Sequence, residues 1–268
     1  MRVALRRAGS RERGGRLHDA SVFRDRSGRE RAITPLPLHR WDVTPREAVE
    51  IQRELAGRVD RRRRRRRFHL VAGADVSVSK ESDRLFAGVV VCRADDWSVV
   101  EQVGVVSRAA FPYVPGLLSF RECPALLKAM SRLKHRPDVV LCDAQGWAHP
   151  RRFGLACHFG LLLDLPSVGC AKSVLVGEYE GLGRLAGSRA ALVDRGEVVG
   201  MAVRTRTGVA PVYVSVGHKI DLASAVEVVL RAAARYRLPE PTRLAHLHVN
   251  ALRRAYQVKR EKRRRMGG

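Results

Sequence analysis

Short apolar runs separated by polar loops predict a strand-rich segment in the first half of the chain. Three runs of strand length are separated by connections that carry Asp and Ser, at residues 69–78, 85–92 and 99–106. Such connections predict antiparallel hairpins. A helix precedes them, because Thr44 and Glu47 have the spacing of a capping box and Pro45 stands at the first helical position.

A second pattern, at residues 137–173, predicts a βαβ unit. An apolar run too short for a helix ends at Asp143, an apolar segment of helical length follows, and a second short run leads to Lys172. Ligands bind outside the carboxyl ends of the strands in such units. Asp143 and Lys172 therefore mark a candidate site, with an acid and a base that suit a metal ion and a phosphate.

The remaining pattern predicts an α/β fold with a mixed central β-sheet flanked by helices. A hairpin is expected around Arg195 and Gly196, a strand at residues 212–215 that ends near His218, a helix capped by Asp221, and a last helix from Thr242. A meander followed by a βαβ crossover places the first strand beside the strand that ends at Asp143. That arrangement resembles a ribonuclease H-like fold and makes Asp75 a neighbour of Asp143.

Composition divides the chain into three parts. Residues 1–39 lack periodicity and are rich in Arg, Gly and Ser, so they are expected to form a basic, disordered extension. Residues 40–257 form the folded domain, and residues 258–268 a basic C-terminal tail. Its pattern predicts neither a secretory signal nor a membrane span. None of its five cysteines forms a C-x-x-C pair, and three of them lie in apolar runs, which is typical of buried thiols in a reducing compartment. We expect a cytoplasmic protein.

The charge of the chain predicts a polyanionic partner. Its 51 Lys and Arg residues against 27 Asp and Glu residues give a net charge of +24, and nucleic acid is the usual partner of such a surplus. Arg-rich tails account for part of it. The arginine run at residues 61–67 is either a solvated linker or a contact with a nucleic-acid backbone.

Three carboxylates carry the candidate chemistry: Asp75, Glu122 and Asp143. Asp75 and Asp143 follow apolar strand residues, where a carboxylate needs an ion pair or a metal. Glu122 lies at the mouth of a predicted helix, where it forms a second capping box with Ser119 or serves a metal. Converging carboxylates repel one another unless a cation neutralises them, and oxygen ligands favour Mg²⁺ or Mn²⁺. Such a site commonly serves phosphoryl transfer.

Two further residues follow predicted strands. Lys172 is able to meet a phosphate as a point charge, and His218 to hydrogen-bond the phosphate or position a water. Taken alone, they are equally typical of a surface lysine and a loop histidine.

Seven segments of the chain resemble the endonuclease V family. They are WDVTPREAVEIQREL, VAGADVSV, FPYVPGLLSFRE, DAQGWAHPRRFGLACHFG, VGCAKS, VSVGHKIDL and LPEPTRLAH, and they span residues 41–246. The resemblance implies a ribonuclease H-like fold and a Mg²⁺-dependent nuclease, with Mn²⁺ as a substitute. It implies cleavage at the second phosphodiester bond on the 3′ side of a deaminated base, chiefly hypoxanthine, in DNA repair.

The resemblance also assigns residues. Asp75, Glu122 and Asp143 match the metal carboxylates of the family, and Lys172 and His218 its phosphate-side residues. The loop of Pro112, Tyr113, Val114 and Pro115 matches its strand-separating wedge, and Gly146 and His149 fall in the segment that lines its lesion pocket. Ala144 departs from the usual glycine after the second aspartate, which affects the geometry of the pocket.

Three alternatives for the function follow. The first is an endonuclease that acts on inosine-containing DNA, and the second is an endoribonuclease that acts on inosine-containing RNA. In both cases we expect a monomer that does not bind a membrane. The third alternative is a nucleic-acid-binding relative without catalysis. The three retained carboxylates argue against that last alternative, since a protein without catalysis has little reason to keep them together.

Overall fold

The computed structural model describes residues 33–62, 67–79 and 81–266, with the side chains of residues 263 and 264 left out. Five helices and eight strands form in that part of the chain. The helices are α1 (Pro45–Ala56), α2 (Leu118–Met130), α3 (Leu155–Leu163), α4 (Leu222–Ala232) and α5 (Glu240–Met266). The strands are β1 (Leu70–Val78), β2 (Arg84–Arg93), β3 (Val99–Arg108), β4 (Val139–Cys142), β5 (Ser167–Ala171), β6 (Arg189–Asp194), β7 (Glu197–Val203) and β8 (Val212–His218).

One mixed sheet contains all eight strands, in the order β3-β2-β1-β4-β5-β8-β7-β6. The three meander strands pair antiparallel, whereas β1 pairs with β4, and β4 with β5, in parallel. This confirms the predicted α/β, ribonuclease H-like fold and the placement of the first strand beside the strand that ends at Asp143.

Helices cover both faces of the sheet, and β4 shows why. All four residues of this strand are buried. Val140 and Cys142 face a core shared with α2 and α3, whereas Val139 and Leu141 face a core shared with α4. A parallel strand between two helical layers is apolar at every position, which is why β4 reads as a continuous apolar run and not as an alternating one.

The N-terminal segment joins the domain earlier than its composition suggests. Ile33 is buried in the core beneath α2 and α3, and the Leu36 N–H donates to the Leu162 carbonyl at 2.7 Å. His39 and His158 share a hydrogen bond of 2.7 Å between their Nε2 atoms. Residues 33–39, expected to belong to the extension, therefore pack on the domain, while residues 1–32 lie outside the described part of the chain.

The arginine run is described only at its ends. The guanidinium of Arg61 stacks on the ring of Trp147 at 4.1 Å and pairs with Glu197 at 3.1 Å. Arg62 pairs with Asp60 at 3.0 Å. The two alternatives for the run stay open over residues 63–66, which lie outside the described residues.

Three glycines on the sheet form the seat of α5. A Cβ atom on Gly73 would lie 2.1 Å from the carbonyl of Pro241, one on Gly88 2.6 Å from Val249, and one on Gly104 2.7 Å from His248. Gly88 pairs with Asp75 across β1 and β2, and with Gly104 across β2 and β3. Because these three positions have no side chain, the helix is able to lie directly against the sheet.

All five cysteines are buried and free. Burial raises the pKa of the Cys92 thiol to about 12, so it remains protonated at neutral pH. Within the described residues, no helix has the length and apolar character needed to cross a membrane.

The seat of α5 should tolerate no side chain at its tightest point. Gly73→Ala places a Cβ atom where the Pro241 backbone lies, so α5 has to shift, and the free energy of unfolding should fall by about 1–3 kcal/mol. Gly57→Ala is the control, because Gly57 has helical φ and its added Cβ would only reach Glu54 at 3.7 Å. Urea unfolding of both variants measures the difference, and equal midpoints for Gly73→Ala and wild type would contradict the close contact.

Candidate active site

Asp75 and Asp143 lie side by side because their strands are parallel neighbours. Ala74 on β1 is in register with Cys142 on β4, so the next residue of each strand is an aspartate at the same edge of the sheet. The Asp143 N–H donates to the Ala74 carbonyl at 3.3 Å, which continues the pairing. The structure thus brings together these two predicted site residues.

His246 joins the two aspartates. One potential ligand atom from each of Asp75, Asp143 and His246 lies within 4.8 Å of the other two. One Asp75 oxygen accepts a hydrogen bond from the Val76 N–H at 2.8 Å, and the other from His246 Nδ1 at 2.8 Å. Since the amide nitrogen of Asn250 donates to His246 Nε2 at 3.0 Å, the proton of the neutral imidazole belongs on Nδ1.

His246 was not predicted from the sequence as a site residue. The family resemblance could have indicated it, because His246 is the last residue of LPEPTRLAH, one of the segments that carry the resemblance. A histidine on a polar stretch of helix has no recognisable metal spacing of its own. Only the close contact of α5 with β1 at Gly73 places it beside Asp75.

Glu122 approaches the aspartates from α2. Burial first, and then the Asp75 and Asp143 carboxylates, raise its pKa to about 8, against the influence of Arg121. Its carboxylate is not one of the three ligand groups that lie within 4.8 Å. The expected capping role is wrong: α2 begins at Leu118, no side chain caps it, and Glu122 lies inside the helix.

Burial and the neighbouring Asp143 carboxylate also raise the pKa of Asp75. Lys172, just past β5, donates through Nζ to Asp143 Oδ2, and its carbonyl is held by Arg237 at 3.0 Å. The ammonium group of Lys172 thus lies beside the Asp143 carboxylate, at the end of the strand where the sequence predicted a positive charge.

The structure does not bring His218 to this site. β8 runs antiparallel to β5, and His218 pairs with Ser167 at the start of β5, whereas Lys172 follows its end. A strand of this length separates the two ends by about 13–17 Å. The sequence correctly predicted that His218 lies at the carboxyl end of a strand. It did not predict that this strand, β8, runs antiparallel to β5, which places His218 at the opposite edge of the sheet.

His218 is instead a buried structural residue. Its Nδ1 accepts a hydrogen bond from the Asp60 N–H at 3.2 Å, and its Nε2 lies 3.7 Å from Asp164. Burial and Lys219 lower its pKa, so it is neutral at pH 7 and holds the segment after α1 against the sheet.

A cavity of about 400 Å³ adjoins Asp143. Asp143 and Lys172 line it together with Tyr113, Pro115 and His149. Val114, Ala144 and Gln145 also line it, together with Val174 and Leu175. The predicted wedge loop and the predicted catalytic end therefore enclose one space. Pro112 is exposed at the base of the loop.

Gly146 shapes this cavity indirectly. A Cβ on Gly146 would lie 2.2 Å from the Val216 carbonyl, and its N–H donates to Ser215 Oγ at 2.9 Å. Gly146 therefore lets the loop after β4 lie flat on β8. It is not among the residues that line the cavity.

The carbonyl of Gly116 fixes the wedge loop. It accepts hydrogen bonds from Gln52 Nε2 at 3.0 Å, His149 Nε2 at 3.0 Å and Arg151 Nη2 at 2.8 Å. Burial, with Arg151 nearby, lowers the pKa of His149 to about 4. His149 is therefore neutral, and because its Nδ1 accepts from the Arg151 N–H at 3.2 Å, its Nε2 carries the donated proton. Gly116 has a φ of 77°, which favours glycine at this bend.

The charge of Glu122 should make the metal-free protein less stable as pH rises. The folded-state pKa of about 8 exceeds the ordinary value of 4.5. Between these values the folded protein holds a proton that the unfolded chain releases, so its stability falls with rising pH, by up to about 1.4 kcal/mol per pH unit. Glu122→Gln removes this dependence.

Urea unfolding in EDTA from pH 4.5 to 8.5 measures the effect. Wild type should lose stability relative to Glu122→Gln across that interval, whereas Glu54→Gln, which changes an exposed carboxylate on α1, should follow wild type. Parallel curves for wild type and Glu122→Gln would show that Glu122 titrates normally.

The chain is similar to known proteins over most of its length. The sequence model of the Endonuclease V family matches residues 53–247. An endonuclease V from Myxococcus xanthus is 57% identical over 219 residues, which cover 81% of this chain and 93% of that protein. The crystal structure of an endonuclease V from Streptomyces avermitilis is 41% identical with a TM-score of 0.77, and covers 84% of this chain and 100% of that one.

A third comparison includes nucleic acid. A variant of the endonuclease V of Ciona intestinalis, solved in complex with a 23mer DNA that contains an inosine followed by a ribo-adenosine, is 27% identical with a TM-score of 0.69. It covers 78% of this chain and 98% of that one. From the family match and the extent of these identities, the chain belongs to the endonuclease V family.

Proposed function

We propose that this protein is a metal-dependent endonuclease that recognises hypoxanthine in DNA and hydrolyses the second phosphodiester bond on its 3′ side, in DNA repair. The observation that carries the proposal is the pair of adjacent carboxylates, Asp75 and Asp143, of which Asp143 lines a cavity whose wall includes the exposed Tyr113. The inosine-containing DNA bound by the Ciona protein supports the choice of substrate.

The residues present fit a hard divalent cation. Asp75 and Asp143 offer carboxylate oxygens, and the raised pKa values of Asp75 and Glu122 reflect carboxylates whose charges water alone compensates poorly. Mg²⁺, or Mn²⁺ in its place, would be held by Asp75 and Asp143 with His246 and Glu122 beside them. When bound, it would supply an activated water and stabilisation of the charge on the phosphate.

The chain itself orients these groups. His246 and the Val76 N–H each hold one oxygen of Asp75, so the carboxylate is fixed before a substrate arrives. Lys172 is paired with Asp143, and in the proposed complex its ammonium group turns to the phosphate as a point charge. Glu122 holds a proton at neutral pH in the absence of a cation and yields it when positive charge approaches.

The wedge loop would serve recognition of the lesion and take no part in the cleavage step. Tyr113 is 71% exposed, whereas the loop beneath it is held at Gly116 by three donors. A loop fixed in advance loses little entropy on insertion into a duplex. Tyr113 would stack where the lesion base leaves, and that base would enter the cavity beside His149.

Cleavage of inosine-containing RNA remains the second candidate. The oligonucleotide bound by the Ciona protein carries a ribo-adenosine after its inosine, so that relative accommodates a 2′-hydroxyl at this position. Matched DNA, RNA and single-ribonucleotide substrates, cleaved by this protein in parallel, distinguish the two candidates. A preference for the RNA strand would assign an endoribonuclease.

The carboxylates should be required for cleavage but not for folding. We expect Asp75→Ala and Asp143→Ala to lower the cleavage rate by at least about a thousandfold, which corresponds to roughly 4 kcal/mol of transition-state stabilisation. Removal of one carboxylate also relieves repulsion in the metal-free protein, so the variants should remain folded.

End-labelled duplexes with a single hypoxanthine, incubated with Mg²⁺ or with EDTA, provide the measurement, and the product length gives the position of the cut. Asp95→Ala, which changes an exposed turn carboxylate, should behave as wild type. Cleavage in EDTA, or full activity of either variant, would rule out the metal assignment.

Tyr113 should matter for duplex recognition and not for chemistry. Aromatic–base stacking contributes roughly 1–3 kcal/mol, so Tyr113→Ala should weaken binding to inosine duplexes by about tenfold or more. Single-stranded substrate needs no wedge and should lose less. Tyr113→Phe should retain most of the affinity, because the ring remains.

Cleavage of both substrates at subsaturating enzyme tests this expectation. Tyr236→Ala is the matched control, since Tyr236 is also a partly exposed tyrosine but stacks on Arg243 away from the cavity. Equal losses on duplex and single strand for Tyr113→Ala would mean that Tyr113 supports the fold and not strand separation.

A further inference from the structure

The last helix leads from the metal-binding edge out of the domain. Successive residues of α5 contact successive residues of β1 and the turn that follows it, in the pairs Pro241–Gly73, His246–Asp75, Asn250–Ser77, Arg253–Val78 and Arg260–Glu81. α5 therefore progresses in the direction of β1, past Asp75, and leaves the sheet at the edge where the carboxylates lie.

The final part of α5, residues 257–266, is a basic arm. Its described side chains are exposed. Six of the seven residues from 259 to 265 are Lys or Arg, with Glu261 as the exception. Like charges three and four residues apart destabilise an isolated helix, so this arm gains most from a partner that is strongly negative along its length.

The base of the arm is anchored to the domain. The ring of Tyr256 lies 5.5 Å from that of Phe86, and the guanidinium of Arg84 stacks on it at 5.1 Å. Arg260 lies 3.6 Å from Glu81 in an exposed pair. Because one continuous helix joins His246 to the arm, the distance of the arm from the metal-binding edge is set by helical geometry.

That distance suits the flank of a nucleic acid. A helix rises 1.5 Å per residue, so Lys259 lies about 20 Å and Arg265 about 28 Å along the axis from His246. Phosphates of one strand in B-DNA advance about 3.4 Å per nucleotide along the axis. For a duplex whose axis runs along α5, the arm would lie level with phosphates about six to eight nucleotides from the reacting bond.

We propose that the basic arm binds the phosphate backbone on one flank of the substrate and so sets the length of nucleic acid required on that side. Backbone contacts of this kind add affinity without reading sequence. The position of the reacting phosphate rests on the proposed function, whereas the binding of backbone by the arm does not.

The first test measures the salt dependence of binding by the full chain. The variant Lys259→Gln, Arg260→Gln, Lys262→Gln removes three charges from the arm. The control Lys128→Gln, Arg132→Gln, Lys134→Gln removes three exposed charges from the end of α2, at the opposite edge of the sheet. Binding to 40-base-pair duplexes, with and without inosine, is measured in EDTA between about 50 and 200 mM KCl.

The arm variant should lower the slope of log affinity against log salt by about 2–3, equally for both duplexes, because each lost phosphate contact contributes about 0.9. The control should leave the slope unchanged. An equal fall in both variants would show that net charge alone acts, and would overturn the proposal.

The second test trims the substrate. Shortening the duplex to four base pairs on one side of the inosine should weaken wild-type binding by about tenfold or more, and trimming the other side should weaken it less. The arm variant should show equal losses on the two sides, because the contact that distinguishes them is gone. A difference between the two sides that persists in the arm variant would overturn the proposal.

Cleavage at saturating enzyme separates the two hypotheses. The arm variant should cut inosine duplexes at the wild-type rate in a single turnover, since it changes no residue of the active site. If neither protein cuts them, the proposed function fails, while the salt and flank measurements still decide whether the arm binds backbone.

Discussion

The repulsion between two carboxylates, confined in a poorly hydrated place, is the constraint on which the active site depends. The parallel pairing of β1 and β4 gives Asp75 and Asp143 no freedom to separate. Each neighbouring polar group reduces this repulsion or holds a carboxylate in place. His246 and the Val76 N–H hold Asp75, Lys172 pairs with Asp143, and Glu122 is kept protonated at neutral pH by its pKa of about 8. A divalent cation would relieve all three carboxylates at once.

The sequence predicted the sheet well because its signals are local. Strand length, apolar runs and capping residues depend on near neighbours, and they located the meander, the βαβ unit and the Asp75–Asp143 pair. Features that depend on strand direction or on helix packing were harder to predict. His218 was misplaced because β8 is antiparallel to β5, and His246 was missed because only the seat of α5 brings it to Asp75.

The loop that carries Tyr113 and the wall of the adjoining cavity are both held by the carbonyl of Gly116. Gln52 from α1, with His149 and Arg151 from the loop after β4, converges on the Gly116 carbonyl. Two of these three donors belong to the loop that forms the cavity wall. A displacement of the Tyr113 loop would therefore also move the cavity wall, and in the proposed complex this one carbonyl oxygen would couple the position of Tyr113 to that of a base in the cavity.

The glycine seat of α5 has a consequence for how the sequence is able to vary. Core positions filled by large side chains accept replacements, since neighbours repack around a different shape. Gly73, Gly88 and Gly104 have no side chain to exchange, and the backbone of Pro241 cannot move aside without carrying the whole helix with it. Gly73, which meets the backbone of α5, is thus a position where even a methyl group costs stability, and this constraint comes from a helix whose own composition gives no hint of it.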